Sequence, residues 1–146
     1  MKTLIWPVMM YGCESWTIKK SDEDRIKAFE MKGIRKILGI SWTEKKTNEW
    51  VLETAGVERS LLESIKGRKM SYFGHIMRKH GDCLEKEIMQ GTVRRARSRG
   101  RPRKKWWDNM CKWAGLSTEE LLRAIEDRRE WRRIVQSATN LRIEEG

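Results

Sequence analysis

The sequence is short of the residues that support several common protein classes. It has three cysteines in 146 residues, Cys13, Cys83 and Cys111, and no two of them are close together. An odd, scattered set does not suit a disulfide-stapled domain and is typical of a reducing, intracellular compartment. The longest apolar run, Leu4 to Met10, is interrupted by Pro7 and is far too short to cross a bilayer. We therefore expect a nuclear or cytoplasmic protein with no membrane partner.

Large apolar residues other than Trp and Met are also scarce. Leu, Ile, Val and Phe together make 29 of the 146 residues, a proportion close to that of disordered chains. Eight tryptophans and eight methionines make up the deficit. The length suits a single small domain. The composition therefore predicts a folded chain with a thin core that is rich in Trp and Met.

Apolar residues recur at helical spacing through most of the chain, and no two segments form a clear strand pair. This pattern predicts a mainly α fold, a small irregular domain of about five or six helices. Two helices are predicted to begin at capping boxes, Ser60 with Glu63 and Ser117 with Glu120. Because one apolar stripe continues from the second box to Val135, we expect a single last helix there.

Positive charge is concentrated in one segment. The chain has a formal net charge of +11, and residues 91–105 contain eight basic residues and no acidic one. We predict three units: a helical segment over 1–90, a basic linker or loop over 91–105 with its extended part at about 92–103, and a C-terminal helical pair over 106–146. A dense cation block without counter-charges attracts polyanions, of which nucleic acid is the commonest.

The main candidate site is the basic segment, residues 91–105, together with Trp106, which follows it. Arginines alternate there with small residues, so an extended backbone would leave several guanidinium groups free to contact phosphates. Within it, Arg99-Gly100-Arg101-Pro102 matches the AT-hook pattern of minor-groove binding. The alternative is a solvated loop or nuclear-import signal, with the neighbouring tryptophans in the core. The predicted nucleic-acid-binding residues are Arg94, Arg95, Arg97, Arg99, Arg101, Arg103, Lys104, Lys105 and Trp106, the last by stacking on a base.

Catalytic and metal sites are not predicted. A zinc set made of His75, His80, Cys83 and Cys111 would have non-standard spacing and a distant fourth ligand. His75 is instead expected to be a buried histidine with its hydrogen bonds satisfied. Carboxylates such as Asp24 and Glu30 fit an exposed helical face. We find no phosphate-binding glycine loop, nucleophile elbow or Cys/His pair, so we expect no cofactor, no metal and no autonomous enzyme.

Four segments together resemble a known family. Their order and spacing, from about Thr3 to Val135, are similar to the region that follows the polymerase domain in non-LTR retrotransposon reverse transcriptases of the RTE/BovB-like kind. The segments are Met10–Trp16, Ile37–Trp42, Tyr72–Arg78 and Gly100–Asn109.

The resemblance implies a thumb-like and C-terminal part of a polyprotein that nicks DNA and copies RNA. In such elements this part is thought to hold template RNA or target DNA, so the implied partners are RNA, DNA and the upstream polymerase domain. The polymerase's Tyr-x-Asp-Asp motif and the endonuclease's His and carboxylate residues are absent from this sequence, so no catalytic residue carries over. The alternative function is a helical interaction module that docks on the polymerase or another partner.

Overall fold

A computed structural model describes residues 4–58, 60–79, 81, 84–90 and 106–140. These residues contain eight α-helices and no strand, which confirms the mainly α prediction. Short 3-10 turns at Cys13–Ser15 and Trp42–Glu44 add to them. The helices are α1 Ile5–Met9, α2 Lys20–Ile37, α3 Asn48–Ala55, α4 Leu61–Met77, α5 Leu84–Gln90, α6 Trp106–Ala114, α7 Thr118–Glu126 and α8 Arg128–Asn140.

The described residues contain more helices than the five or six expected. The predicted last helix is wrong, because Asp127 has an extended backbone (φ −85°, ψ 109°) and separates α7 from α8. Its carboxylate accepts hydrogen bonds from the amides of Arg129 and Glu130, at 2.7 and 3.4 Å, and so starts α8. The helical pair predicted for the C-terminal part is therefore three helices within 106–140. The predicted loop at 92–103 lies outside the described residues, and α5, Leu84–Gln90, ends shortly before it.

The main core is built around α4, which packs most extensively against α8 and also contacts α2 and α5. It is rich in Trp and Met, as the composition predicts, and α1, α6 and α7 contribute to it. Phe73 lies at its centre, with its ring 5.5, 5.1 and 5.8 Å from those of Trp106, Trp107 and Trp131. Tilted and edge-on ring pairs of this kind are favourable beyond the area that they bury.

A glycine makes room for one of these rings. A Cβ on Gly74 would overlap the indole of Trp131, so only glycine fits there. The close approach lets the indole Nε1 donate a 3.0 Å hydrogen bond to the Met70 carbonyl oxygen. Gly74 is therefore the contact point between α4 and α8.

Buried polar side chains connect parts of the chain that are distant in sequence. The Asn109 side chain pairs with the backbone of Ile18, accepting from its amide at 3.0 Å and donating to its carbonyl at 2.8 Å. Asn109 is fully buried, so both ends of its amide need such partners. This pairing joins α6 to the segment before α2.

A second, smaller cluster, the small core, joins α2 to α3. It contains Met31, Ile34 and Val51. The α3 helix begins where the Thr47 hydroxyl accepts a hydrogen bond from the Trp50 amide at 3.2 Å, and it ends at Gly56, whose φ is 59°.

The α2 helix is attached to α4 by a buried carboxylate. Glu30 is 2% exposed, and its Oε1 accepts from the amides of Ser60 and Leu61 at 3.0 and 3.1 Å. The expected capping box of Ser60 and Glu63 is therefore wrong, since the Ser60 hydroxyl makes no cap and a distant carboxylate takes its place. The box of Ser117 with Glu120 is confirmed by reciprocal bonds of 2.9 and 3.4 Å.

Candidate nucleic-acid interface

The structure describes one of the nine predicted binding residues, Trp106. The eight basic residues, Arg94, Arg95, Arg97, Arg99, Arg101, Arg103, Lys104 and Lys105, lie outside the described residues. Their part in nucleic-acid binding, like the AT-hook pattern, stays a prediction.

Trp106 begins α6 and is fixed by contacts inside the protein. Its indole Nε1 donates a 2.7 Å hydrogen bond to the Glu14 carbonyl oxygen, and its ring packs on Phe73. It is partly buried, and the Nζ of Lys69 lies 4.5 Å from its ring centroid. The stacking prediction for this residue is untested, and its packing against the main core agrees with the alternative in which the neighbouring tryptophans belong to the core.

Lys69 is buried next to Trp106 and helps to hold it in place. Its side chain is fully buried, and its ammonium donates to the carbonyl oxygens of Glu14, at 3.3 Å, and of Trp16. Burial lowers the pKa of Lys69 to about 8, against smaller opposite effects of Cys13 and Glu14. A buried cation between carbonyl oxygens and an indole face therefore holds the Cys13–Ser15 turn against α4.

The residues on both sides of the basic segment line one groove. Ile88 and Met89 of α5 and Trp106 of α6 contribute to a groove of about 1620 Å³, which also includes Arg68 and Tyr72 of α4. The described residues on either side of the basic segment therefore lie close together, in one groove. Short-range sequence patterns could not indicate this, because the groove depends on contacts of both helices with α4.

A second groove was missed by the sequence analysis. The α2–α3 groove has a volume of about 830 Å³ and is lined by Lys27, Lys32, Arg35 and Lys36 of α2. Ser41 and Asn48 close its other side. Short-range patterns carry little signal for it, because the four cations are spread over about half of the helix circumference and Ser41 and Asn48 lie outside α2.

The alternative sites do not assemble among the described residues. His75 is exposed, so the expectation of a buried histidine is wrong, since its side chain points away from the main core. His80 and Cys83 lie outside the described residues, and the others include no group of three or more His, Cys, Asp or Glu side chains placed to hold a metal. Glu30 is buried as a helix cap rather than exposed, so it is not free to pair with Asp24.

No helix in the described ranges has the length and apolar character needed to cross a membrane.

A comparison with known proteins finds one distant similarity. Over 80 residues, 53% of this chain, the sequence is 28% identical to a Caenorhabditis elegans protein described as uncharacterized and transposon-derived. The match covers 29% of that protein's length, so this chain is similar to less than a third of that protein. No protein-family model and no solved structure match the chain. The similarity suggests a transposon origin.

Proposed function

We propose that this chain binds nucleic acid through its basic segment and has no catalytic activity of its own. The observation that carries the proposal is the presence of eight cations and no acid within residues 91–105. The rest of the chain is far closer to balance, so the field of the protein is concentrated at this segment. Phosphate contacts position a protein without reading bases, and we therefore expect little sequence preference.

The scaffold supports this proposal by giving the segment a fixed attachment point. Trp106 directly follows it and is held by the Glu14 carbonyl oxygen, Lys69 and Phe73. An anchored segment loses less freedom on binding than an isolated tail, and this favours affinity. The proposal leaves RNA and DNA open.

We also propose a specific origin and location. The four family-like segments favour derivation from the region behind the polymerase domain of an RTE/BovB-like non-LTR element. Similarity to a transposon-derived protein supports the broader part of this proposal. A nuclear or cytoplasmic location follows from the same proposal.

The test is a titration of the full chain with a fluorescent 20-nucleotide RNA and a 20-base-pair DNA duplex over a series of salt concentrations. If about five to eight phosphates are neutralised, log K should fall against log salt with a slope of about −4 to −7. The segment variant Arg97→Gln/Arg99→Gln/Arg101→Gln should make this slope shallower by about 2 to 3. Unchanged affinity and slope in this variant would remove the basic segment from the interface.

A matched control separates local contacts from net charge. Arg123, Arg129 and Arg132 lie exposed on α7 and α8, and the control variant Arg123→Gln/Arg129→Gln/Arg132→Gln loses the same three charges. Its slope should change by less than about 1. An equal loss in both variants would mean that only overall charge matters.

A second candidate function, protein docking, is favoured by the exposed apolar face of α1. Leu4 and Val8 are each 78% exposed and lie one helical turn apart, and Tyr11 is 87% exposed. Such surfaces commonly mark interaction sites. If the chain binds neither nucleic acid at about 150 mM salt, yet binds a polymerase domain of the resembling family and loses it with Leu4→Ser/Val8→Ser, docking replaces the first proposal.

A further inference from the structure

The α2–α3 groove is lined by four cations of α2, which are Lys27, Lys32, Arg35 and Lys36. Lys32, Arg35 and Lys36 lie within about one turn and share a helix face, and Lys27 lies half a turn round the helix from Lys36. Lys32 and Lys36 are exposed, and the other two are half-buried. The groove is therefore open to a ligand on its positive side.

This positive charge is not neutralised by the protein's own acids. Among the described residues, the ion pairs involve Lys20, Lys79 and Lys112, and no groove cation takes part in one. Asp24 is the single acidic residue in the lining. Glu30 of the same helix turns away to the α4 amides. The groove lining thus keeps a net charge of +3, from four cations and one carboxylate.

Arg35 is held in place by the far side of the groove. One guanidinium nitrogen, Nη2, donates to the Lys46 carbonyl oxygen at 2.8 Å and to Asn48 Oδ1 at 3.0 Å. A guanidinium group has five N–H donors, so others remain for a ligand. A cation that is already ordered loses little side-chain entropy when it binds an anion.

We propose that the α2–α3 groove binds the phosphodiester backbone of a nucleic-acid strand, as a second contact surface apart from the basic segment. This inference rests on the proposed function, since it extends the same interface. From Lys27 to Lys36 the helix rises about 13 Å. One strand of a duplex has a phosphate for about every 3.4 Å of its axis, so a strand lying along this length of α2 brings several phosphates within reach of the four cations.

A nucleic-acid strand fits better than an acidic peptide. The same chain carries the basic segment that we propose binds nucleic acid, so a nucleic-acid ligand needs no second class of partner. Arg35 and the exposed lysines supply the donors that phosphate oxygens accept. An acidic peptide is kept as an outcome of the test.

The experiment measures lysine acetylation in the full chain by mass spectrometry, with and without the 20-nucleotide RNA or the DNA duplex. Lys32 and Lys36 should react at least about fivefold more slowly when nucleic acid is bound, because phosphate contacts shield them. Lys20 and Lys112, which are exposed outside the groove, should keep their reactivity. Polyglutamate at equal charge concentration should give no comparable protection, and equal protection would overturn the choice of ligand.

Binding measurements give the second readout. The groove variant Lys27→Gln/Lys32→Gln/Lys36→Gln keeps Arg35 and its bonds, and it should make the salt slope shallower by about 2 to 3. The control variant on α7 and α8 loses the same charge and should differ from wild type by less than about 1.

The two proposals fail in different ways. If wild type binds nucleic acid, the segment variant is weakened and the groove variant is not, the groove inference is wrong and the proposed function stands. If the groove variant alone is weakened, the groove inference stands and the basic segment is not the interface. If the chain binds neither nucleic acid, both are wrong.

Discussion

The main core and the α2–α3 region are stabilised in different ways. In the main core, polar ties join residues far apart in the chain: Asn109 with Ile18, Lys69 with Glu14 and Trp131 with Met70, at separations of 91, 55 and 61 residues. In the α2–α3 region, Arg35 reaches the carbonyl of Lys46 and the side chain of Asn48, 11 and 13 residues away. The main core also contains many more buried side chains than the small core, which contains three.

This difference indicates that the main core and the α2–α3 region have different roles in the protein. Non-local contacts have a high loop-closure cost, so the main core is expected to form and break as one cooperative unit. The α2–α3 region has local contacts and few buried side chains, which are features of elements that open at lower free energy. It is also the described region whose groove cations are unpaired, so its surface is available for a polyanion.

The largest expected effect comes from filling the notch at Gly74. Gly74→Ala should lower the free energy of unfolding by about 3 kcal/mol, because the indole of Trp131 must move and lose its bond to the Met70 carbonyl. Urea denaturation measures this. Gly67→Ala in the same helix is the control, since its Cβ would lie 3.3 Å from Thr139 Cγ2 and needs only a small adjustment. Equal stability of the two variants would contradict the central role of the α4–α8 contact.

The next effect comes from the buried cation of the main core. Because its pKa is about 8 in the folded protein and 10.5 ordinarily, Lys69 releases its proton earlier in the folded state than in the unfolded state. The unfolded chain then binds more protons between these pH values, so stability gained from this group rises with pH over that window. Over this pH window, the free energy of unfolding of wild type should rise by about 2 kcal/mol relative to that of Lys69→Met.

The quantity to measure is the difference in the free energy of unfolding between wild type and Lys69→Met. Burial raises the pKa of the Cys13 thiol, which lowers stability as the pH rises above 9 in both proteins. Denaturant melts of wild type and Lys69→Met from pH 7 to 10.5 supply the difference. A difference independent of pH would show that Lys69 is not in the low-dielectric site described above.

An effect of similar size is expected where the two regions are joined. Glu30→Ala removes the acceptor for two α4 amides and should cost about 2 kcal/mol. Hydrogen exchange should become faster in α2 and α3 before it does in α4 and α8. Glu120→Ala, in the exposed capping box, is the matched control and should cost about 1 kcal/mol or less. Uniform acceleration in all helices would mean that the two regions do not open separately.

Much of the fold could be predicted because its signals are local. Apolar spacing predicts the helices, and Gly56 and Gly115 end theirs with positive φ. The box at Ser117 forms as expected because both partners lie within one turn. Asp127 was missed because the apolar stripe continues through it, although an aspartate followed by a new helical stretch was an available signal.

The remaining features depend on contacts that no short-range pattern contains. Glu30 looked like a surface carboxylate, yet it reaches amides 30 residues away. Lys69 lay on the apolar stripe of its helix, but its two carbonyl partners come from another part of the chain. The candidate interface divides in the same way: composition identifies the basic segment, whereas the α2–α3 groove appears only when two helices are brought together.

The amide pairing between Asn109 and Ile18 has a consequence for truncated forms of this chain. A chain that stopped before α6 would leave the amide and the carbonyl of Ile18 without these partners, and Phe73 without any of its three indole neighbours. Each orphaned polar group costs about 1–3 kcal/mol, a large share of the margin of a small domain. Chains truncated before α6 are therefore expected to be unfolded and degradable, and a stable protein should extend through α8, which carries Trp131.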